Sequence, residues 1–269
     1  MPGTLQIDDL IQLDARRAAW LPKVRALVVA DLHLGRLWTQ RSRGQLVPVG
    51  LPDDSTTRLA ALVADYQPER LVVLGDVVHQ AWRLDGIREA LEELVAATGP
   101  KTRLEFALGN HDRQLTERIR EWNLPIATAP QLELSEMLLF HGDQMPLAPS
   151  PEPKRWIQGH EHPAVVLDDG VATSARVPCF LVGERHLILP AFSAQAAGCV
   201  LGRHQLLGPT ARGATFDSVC ACLGRHLLRI PIEVAISSAR FVDEGTRRDG
   251  TPAAPSSSPA SQGQLPMKP

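Results

Sequence analysis

The sequence predicts an α/β fold: a sheet built from alternating strands and helices, followed by a second, more antiparallel sheet. Three observations predict it. Short apolar runs alternate with amphipathic helical stretches through the first half of the chain. The second half carries a run of strands with little helix between them. The apolar runs end repeatedly in small groups of glycine, aspartate, asparagine and histidine. In α/β sheets ligands gather at the carboxyl ends of strands.

Taken in order, residues 5–13 alternate loosely and predict an edge hairpin or strand. The run 24–30 is apolar apart from Arg25, follows Pro22 and predicts a strand ending in Asp31-Leu32-His33-Leu34-Gly35. Residues 36–48 are rich in arginine and polar groups and predict irregular chain. Pro52-Asp53-Asp54-Ser55 is a helix start signal, and Leu59, Leu62, Val63 and Tyr66 then recur at helical spacing. Pro68 ends that helix. Leu71-Val72-Val73-Leu74 reads as a strand covered on both faces, running into Gly75 and Asp76. A second amphipathic helix spans 87–97 and is closed by Gly99-Pro100. A strand at 104–108 ends in Gly109-Asn110-His111-Asp112, a short helix follows at 115–122, and 132–140 contains a strand ending in His141-Gly142-Asp143. The proline-rich stretch 146–153 is a loop, and Trp156-Ile157-Gln158 leads into Gly159-His160-Glu161-His162-Pro163. Residues 177–190 predict a hairpin turning near Gly183-Glu184, and a last strand is expected within 227–236. The predicted domain is 1–236. Beyond it, 237–269 shifts to serine, proline, alanine, glycine and charge, a composition that predicts a disordered tail.

Composition bounds the function. The 269 residues suffice for one large α/β domain. A net charge of −2 supplies no global basic footprint for nucleic acid or an acidic membrane, although bound cations would add positive charge locally. Cys179, Cys199, Cys220 and Cys222 fit neither a zinc ribbon nor a disulfide framework, and predict buried free thiols and a reducing cytoplasm. No signal-like N-terminus and no long apolar run is present, so no membrane association is expected.

The chemistry lies in the five polar clusters. Asp31 and His33 are two residues apart, as are His160 and His162; an extended chain would point each pair to one side. Asp76 adds a carboxylate, Asn110 an amide oxygen and His141 an imidazole. Mixed oxygen and imidazole donors suit divalent first-row ions. Each cluster alone has an ordinary explanation as a turn, a cap or a solvated loop. Together they hold five of the nine histidines, with His79 three residues past Asp76 as a sixth, which argues for a shared site.

The series Asp31-x-His33, Gly75-Asp76, Gly109-Asn110-His111-Asp112, His141 and Gly159-His160-x-His162 resembles the calcineurin-like metallophosphoesterases across 24–195. The resemblance implies a sandwich of two mixed β-sheets flanked by helices. It implies one cation held by Asp31, His33, Asp76 and His162, and a second by Asp76, Asn110, His141 and His160, with Asp76 bridging. Mn2+ is the first expectation for both ions, with Fe or Zn also compatible. His111 would be the catalytic histidine, with Asp112 orienting its ring, and a water shared by the two cations would be the source of attacking hydroxide.

A narrower resemblance, to the bacterial DNA-ligase-associated phosphoesterases, rests on Ala30-Asp31-Leu32-His33-Leu34-Gly35, Leu74-Gly75-Asp76-Val77-Val78-His79, the arginine-rich stretch before Val47-Pro48, and Leu189-Pro190-Ala191-Phe192. It implies an endonuclease of DNA repair, acting on single-stranded or damaged DNA in association with a ligase, a helicase and an exonuclease. Asp143 and Glu161 depart from that pattern, where a histidine and an apolar residue are usual. His79, Arg113, Arg41 and Arg43 are the expected substrate contacts, beside Arg36 and Trp38. Two other readings compete: the same chemistry on a small nucleotide or other small phosphodiester, and a non-catalytic protein-binding scaffold. A scaffold predicts missing ligands, and none is missing.

Overall fold

Two short runs with almost no polar side chain, β4 (Ala26–Ala30) and β5 (Arg70–Leu74), can be stable only if both of their faces are covered. The computed structural model, which describes residues 3–35, 54–78, 84–112, 114–147, 151–168, 174–194, 196 and 198–237, places them side by side and parallel, with Val28 opposite Val72. Around them lie β1 (Thr4–Gln6), β2 (Gln12–Asp14), β3 (Ala18–Leu21), β6 (Arg103–Ala107) and β7 (Ile126–Ala129). The seven strands form one sheet in sequence order. Pairing is antiparallel from β1 to β4 and parallel from β4 to β7.

The strand period of two sorts the side chains of this sheet. Leu27, Val29, Leu71, Val73 and Phe106 point to one face and pack on the helices α1 (Asp54–Tyr66), α2 (Leu84–Thr98) and α3 (Leu115–Glu121). Val28, Ala30, Val72, Leu74 and Ala107 point to the other face and meet a second sheet. Each fully buried valine or leucine contributes ~1.5–3 kcal/mol relative to exposure. This double layer is why both strands read as uninterrupted apolar runs.

The second sheet holds β8 (Gln131–Leu134), β9 (Met137–Phe140), β10 (Arg155–Gln158), β11 (Pro163–Asp168), β12 (Ser174–Val182), β13 (His186–Ile188), β14 (Cys199–Val200), β15 (Ser218–Leu223) and β16 (His226–Pro231). Its main path runs β14-β11-β12-β13-β10-β9-β8, and β15 and β16 branch from β12. Parallel pairs β9–β10 and β10–β13 sit among antiparallel ones, so this sheet too is mixed. Leu139, Ile157, Phe180 and Leu187 face the first sheet. Val165, Leu181 and Val219 face outward and are covered by residues that include Ala211 of the short helix α4 (Pro209–Gly213) and Ala235. The architecture is the α/β sandwich of two mixed sheets that the sequence predicts.

Several elements differ from expectation. The single strand expected within 132–140 is the hairpin β8–β9, whose turn places Ser135 at φ 55. The last strand stops at Pro231, and 232–237 are helical. Strands β3, β7 and β11 are too short or too polar at their ends to be read from periodicity alone. Cys179, Cys220 and Cys222 are buried, Cys199 is half-buried, and all four are free thiols, as predicted. Among the described residues no helix is long and apolar enough to cross a membrane. The expected irregular stretch 36–48, with Arg36, Trp38, Arg41 and Arg43, lies outside the described residues, as do His79, Arg113 and the tail from 238.

Candidate metal centre

The polar clusters sit where the two sheets end together. Phe192 donates its N–H to the Ala30 carbonyl (2.7 Å), and Ala30 bridges Ala191, so the chain after β13 closes on the carboxyl end of β4. Beside it, His33 N–H donates to the Asp76 carbonyl (2.9 Å) and Leu34 N–H to that of Val77 (2.8 Å). These bonds run the chain after β4 alongside the chain after β5.

The side chains converge by a route the sequence does not show. Asp31, His33, Asp76, His160 and His162 all have positive φ, between 40° and 68°. The extended conformation expected for Asp31-x-His33 and His160-x-His162 is therefore replaced by left-handed turns. Such residues are disfavoured outside glycine and persist where surrounding structure holds them, commonly at functional sites. Gly75, at φ 60, completes the turn before Asp76, and a Cβ there would collide with the His141 imidazole.

Asp31, His33, Asp76 and His162 offer ligand atoms that all lie within 4.8 Å of one another. His33 Nε2 and His162 Nε2 are 3.3 Å apart, and His162 Nε2 is 3.4 Å from Asp31 Oδ1. A second group adjoins the first. His141 Nε2 lies 3.5 Å from Asp76 Oδ1, 3.3 Å from Asn110 Oδ1 and 3.1 Å from His160 Nδ1. Asp76 belongs to both groups. The seven residues that the sequence singled out as ligands are thus brought into one cluster.

The donor set fits divalent cations. Asp31 Oδ1 is buried and accepts no hydrogen bond, a costly condition for a carboxylate oxygen unless something else satisfies it. Imidazole nitrogens approach each other in two pairs among carboxylate oxygens, as nitrogen lone pairs do when aimed at a common cation. Burial alone would raise the Asp31 carboxyl, but His162, His141 and His33 around it hold it below the usual range. Burial, with the charge of Asp31, raises Asp76 despite His141 and His111. Burial and the neighbouring His141 lower His160, favouring the neutral imidazole that binds metal.

His111 stands at the rim. Its ring is partly exposed, its Nε2 lies 3.9 Å from Asp76 Oδ2, and its backbone N–H donates to Asp76 Oδ1 (3.3 Å). Asp112 is buried and holds backbone, not the His111 ring: its carboxylate accepts from the N–H groups of Gly109 (3.0 Å), Val77 (3.3 Å) and Val78 (3.2 Å). Burial pushes its carboxyl up to about 6, with those backbone donors opposing and Asp76 adding to the rise. Asp112 therefore joins the turn that carries Asp76 to the turn that carries Asn110 and His111.

Two clefts open from the cluster and share Asn110. The larger, ≈ 650 Å³, reaches from His111 to Arg176, His204 and Leu207. The smaller, ≈ 370 Å³, passes between Asn110, Asp143 and Leu147. Arg176 and the 204–208 segment carry no sequence motif, and Glu161 stands out only as a departure from the family pattern. The one available signal was an acid lodged between two candidate ligand histidines, a place where a second negative group needs a reason.

Residues 24–148 match the family model of the calcineurin-like phosphoesterases. No curated protein matches the chain. Among solved structures, the Pseudomonas putida nuclease MPE matches with a TM-score of 0.59 at 22% identity, covering 86% of this chain and 100% of that one. At that identity the likeness shows the fold. Yfce, a phosphoesterase from E. coli, matches with a TM-score of 0.39 at 18% identity, covering 77% of this chain and 98% of that one.

Proposed function

We propose, from the match of residues 24–148 to the calcineurin-like phosphoesterase model, that this protein is a dimetal phosphodiesterase that cuts DNA, single-stranded or damaged. The observation that carries the reading is the position of Asp76. It shares one cluster with Asp31, His33 and His162, and it is 3.5 Å from His141 in the other. One cation would be held by Asp31, His33, Asp76 and His162, and the other by Asp76, Asn110, His141 and His160. Mn2+ is the first choice, and the same donors accept Fe or Zn.

Two such cations supply Lewis-acid polarisation of a phosphate and water of lowered pKa. The protein's own groups do the rest. The Asp31 carboxylate sits 3.4–3.5 Å from the His162 and His141 imidazoles and that of Asp76 3.5 Å from His141, so the donors are preorganised before any substrate arrives. His111, partly exposed beside Asp76, is the group placed to hold a proton for the departing oxygen. Asp112 keeps the two turns in register, so that His111 and Asn110 stay opposite Asp76.

A phosphodiester has a substituent on each side of phosphorus, and the two clefts that meet at Asn110 give each a place to lie. That favours a diester over a monoester. The choice of DNA rests on the resemblance to the ligase-associated family, with His79, Arg113, Arg41 and Arg43 as the proposed phosphate contacts and a cytoplasmic repair assembly of ligase, helicase and exonuclease as the setting. One observation favours a second reading, a small nucleotide or other small diester. Among the described residues lining the two clefts, Arg176 and His204 are the only basic side chains besides the clustered histidines.

The test is to load the chain with Mn2+ and offer a nitrophenyl diester, a nitrophenyl monoester, a single-stranded oligonucleotide and its duplex. Cleavage of the diester and of single-stranded DNA is expected. Cleavage of the small diester alone would select the second reading, and no cleavage with both metals bound would sink the enzyme. His111→Ala should abolish turnover yet keep both metals; metal loss would reassign His111.

A further inference from the structure

The wall of the larger cleft that faces the metal ligands is made by a segment without secondary structure, yet it is fastened from behind at several points. Leu207 and Gly208 donate their backbone N–H groups to the two carboxylate oxygens of Glu161, at 2.7 and 2.5 Å. Glu161 is buried and lies between His160 and His162. Two residues past Gly208, Thr210 donates its hydroxyl to Gln158 Oε1 (2.6 Å), at the end of the strand that delivers those histidines. Gly208 packs so closely on the Gly142 carbonyl, next to His141, that a Cβ would collide with it. The segment is thus seated on both turns that carry the imidazoles of the second sheet.

Its other side faces the cleft. His204, Gln205 and Leu207 line it, and Leu207 is 64% exposed, unusual for a leucine so firmly held by its own backbone. Arg176 lines the same cleft from β12. This surface offers a cation, an imidazole, an amide and an apolar side chain within one cleft. Those are the groups that recognise a phosphate, a sugar and the face of a base. A buried carboxylate that accepts two backbone N–H groups forms charge-assisted bonds, roughly twice as strong as neutral ones, so it can hold a loop that has no ladder of its own.

Resting on the phosphodiesterase reading, we propose that 204–207, with Arg176, is the subsite for the nucleotide that adjoins the scissile phosphate, and that Glu161 is the positioning residue that holds it in register with the metal ligands. Both Glu161 carboxylate oxygens are taken up by the Leu207 and Gly208 N–H groups, so it acts through the segment it holds. The acid that departs from the related family's pattern at this position is explained by the loop it anchors.

The test compares the unaltered chain with Glu161→Gln, which keeps size and one acceptor, and with Glu161→Ala, each loaded with Mn2+. Hydrogen exchange should show the Leu207 and Gly208 amides protected in the unaltered chain, exposed in Glu161→Ala and intermediate in Glu161→Gln. The KM for a single-stranded oligonucleotide should rise about tenfold relative to the KM for a nitrophenyl diester in Glu161→Ala. Glu161→Gln should recover part of that loss, and both variants should retain two metals. His204→Ala with Gln205→Ala should reproduce the selective rise in KM without altering exchange at Gly208. Loss of metal with equal loss on both substrates would overturn the proposal, because Glu161 would then serve the ligand histidines. Unchanged exchange, or an unchanged ratio of KM values, would overturn it as well. A chain that cleaves neither substrate refutes the phosphodiesterase reading instead; exchange then decides the anchoring, and oligonucleotide binding by the variants decides the subsite.

Discussion

The first sheet brings mainly oxygen donors to the centre, and the second brings only imidazoles. Asp31, Asp76 and Asn110, with His33, follow β4, β5 and β6, whereas His141, His160 and His162 follow β9 and β10. Neither sheet can complete either proposed ligand group. The first needs His162 from across the sandwich, and the second needs Asp76 and Asn110. The same interface that buries Val28, Val72, Leu139 and Ile157 therefore assembles the cluster, so core packing and the proposed metal binding would stand or fall together.

That division can be broken most sharply at the residue both groups share. Asp76→Ala should lower metal content at both positions and cut phosphodiester hydrolysis by about 10³-fold or more, the loss expected when metal-supplied charge stabilisation disappears. Elemental analysis beside a steady-state assay measures it, and a variant that retains both cations would show that Asp76 does not bridge.

A smaller effect should follow from forcing the two sheets apart locally. Gly75→Ala would drive a Cβ into the His141 ring, whereas Gly99, also left-handed at φ +75, faces open space. Chemical denaturation should show a loss of about 3 kcal/mol or more for Gly75→Ala, from overpacking and strain together, and about 1 kcal/mol for Gly99→Ala, from strain alone. Equal losses would mean that His141 yields without cost.

A more local effect, smaller than that of Gly75→Ala, is expected within the first sheet's own half. Asp112→Asn removes one acceptor oxygen from a carboxylate that holds three backbone N–H groups, and should cost about 2 kcal/mol. Turnover should fall while both metals remain, since no imidazole from the second sheet depends on Asp112. Loss of metal would show that the clamp serves the ligands directly.

Much of this centre is legible in the chain because strand ends announce themselves. Leu71 to Leu74 is apolar at every position and stops at Gly75-Asp76, so both the strand and its carboxylate are readable. The pairs Asp31-x-His33 and His160-x-His162 are visible too, but for a partly mistaken reason. They converge through left-handed turns, not through extended backbone, and although Asp and His are several-fold enriched at positive φ, only a few per cent of non-glycine residues adopt it. The β8–β9 hairpin was hidden because its turn is Ser135-Glu136, with no glycine or asparagine to mark it. Asp112 shows the same limit: beside a candidate catalytic histidine it suggests a partner for that ring, while its oxygens bind backbone from two separate turns.

Residue types and their spacing along the chain specify the two-sheet class, the helices that cover the first sheet and the inventory of ligands, because periodicity and strand-end chemistry are local properties. Which imidazole faces which carboxylate is not local. His162 meets Asp31 across the sandwich, at a distance set by how the two sheets close on each other, whereas Leu207 meets Glu161 within the second sheet's own half, across a long separation in sequence. The proposed subsite depends on packing within the second sheet's half. A buried carboxylate and a loop with no motif acquire meaning only once they are packed together.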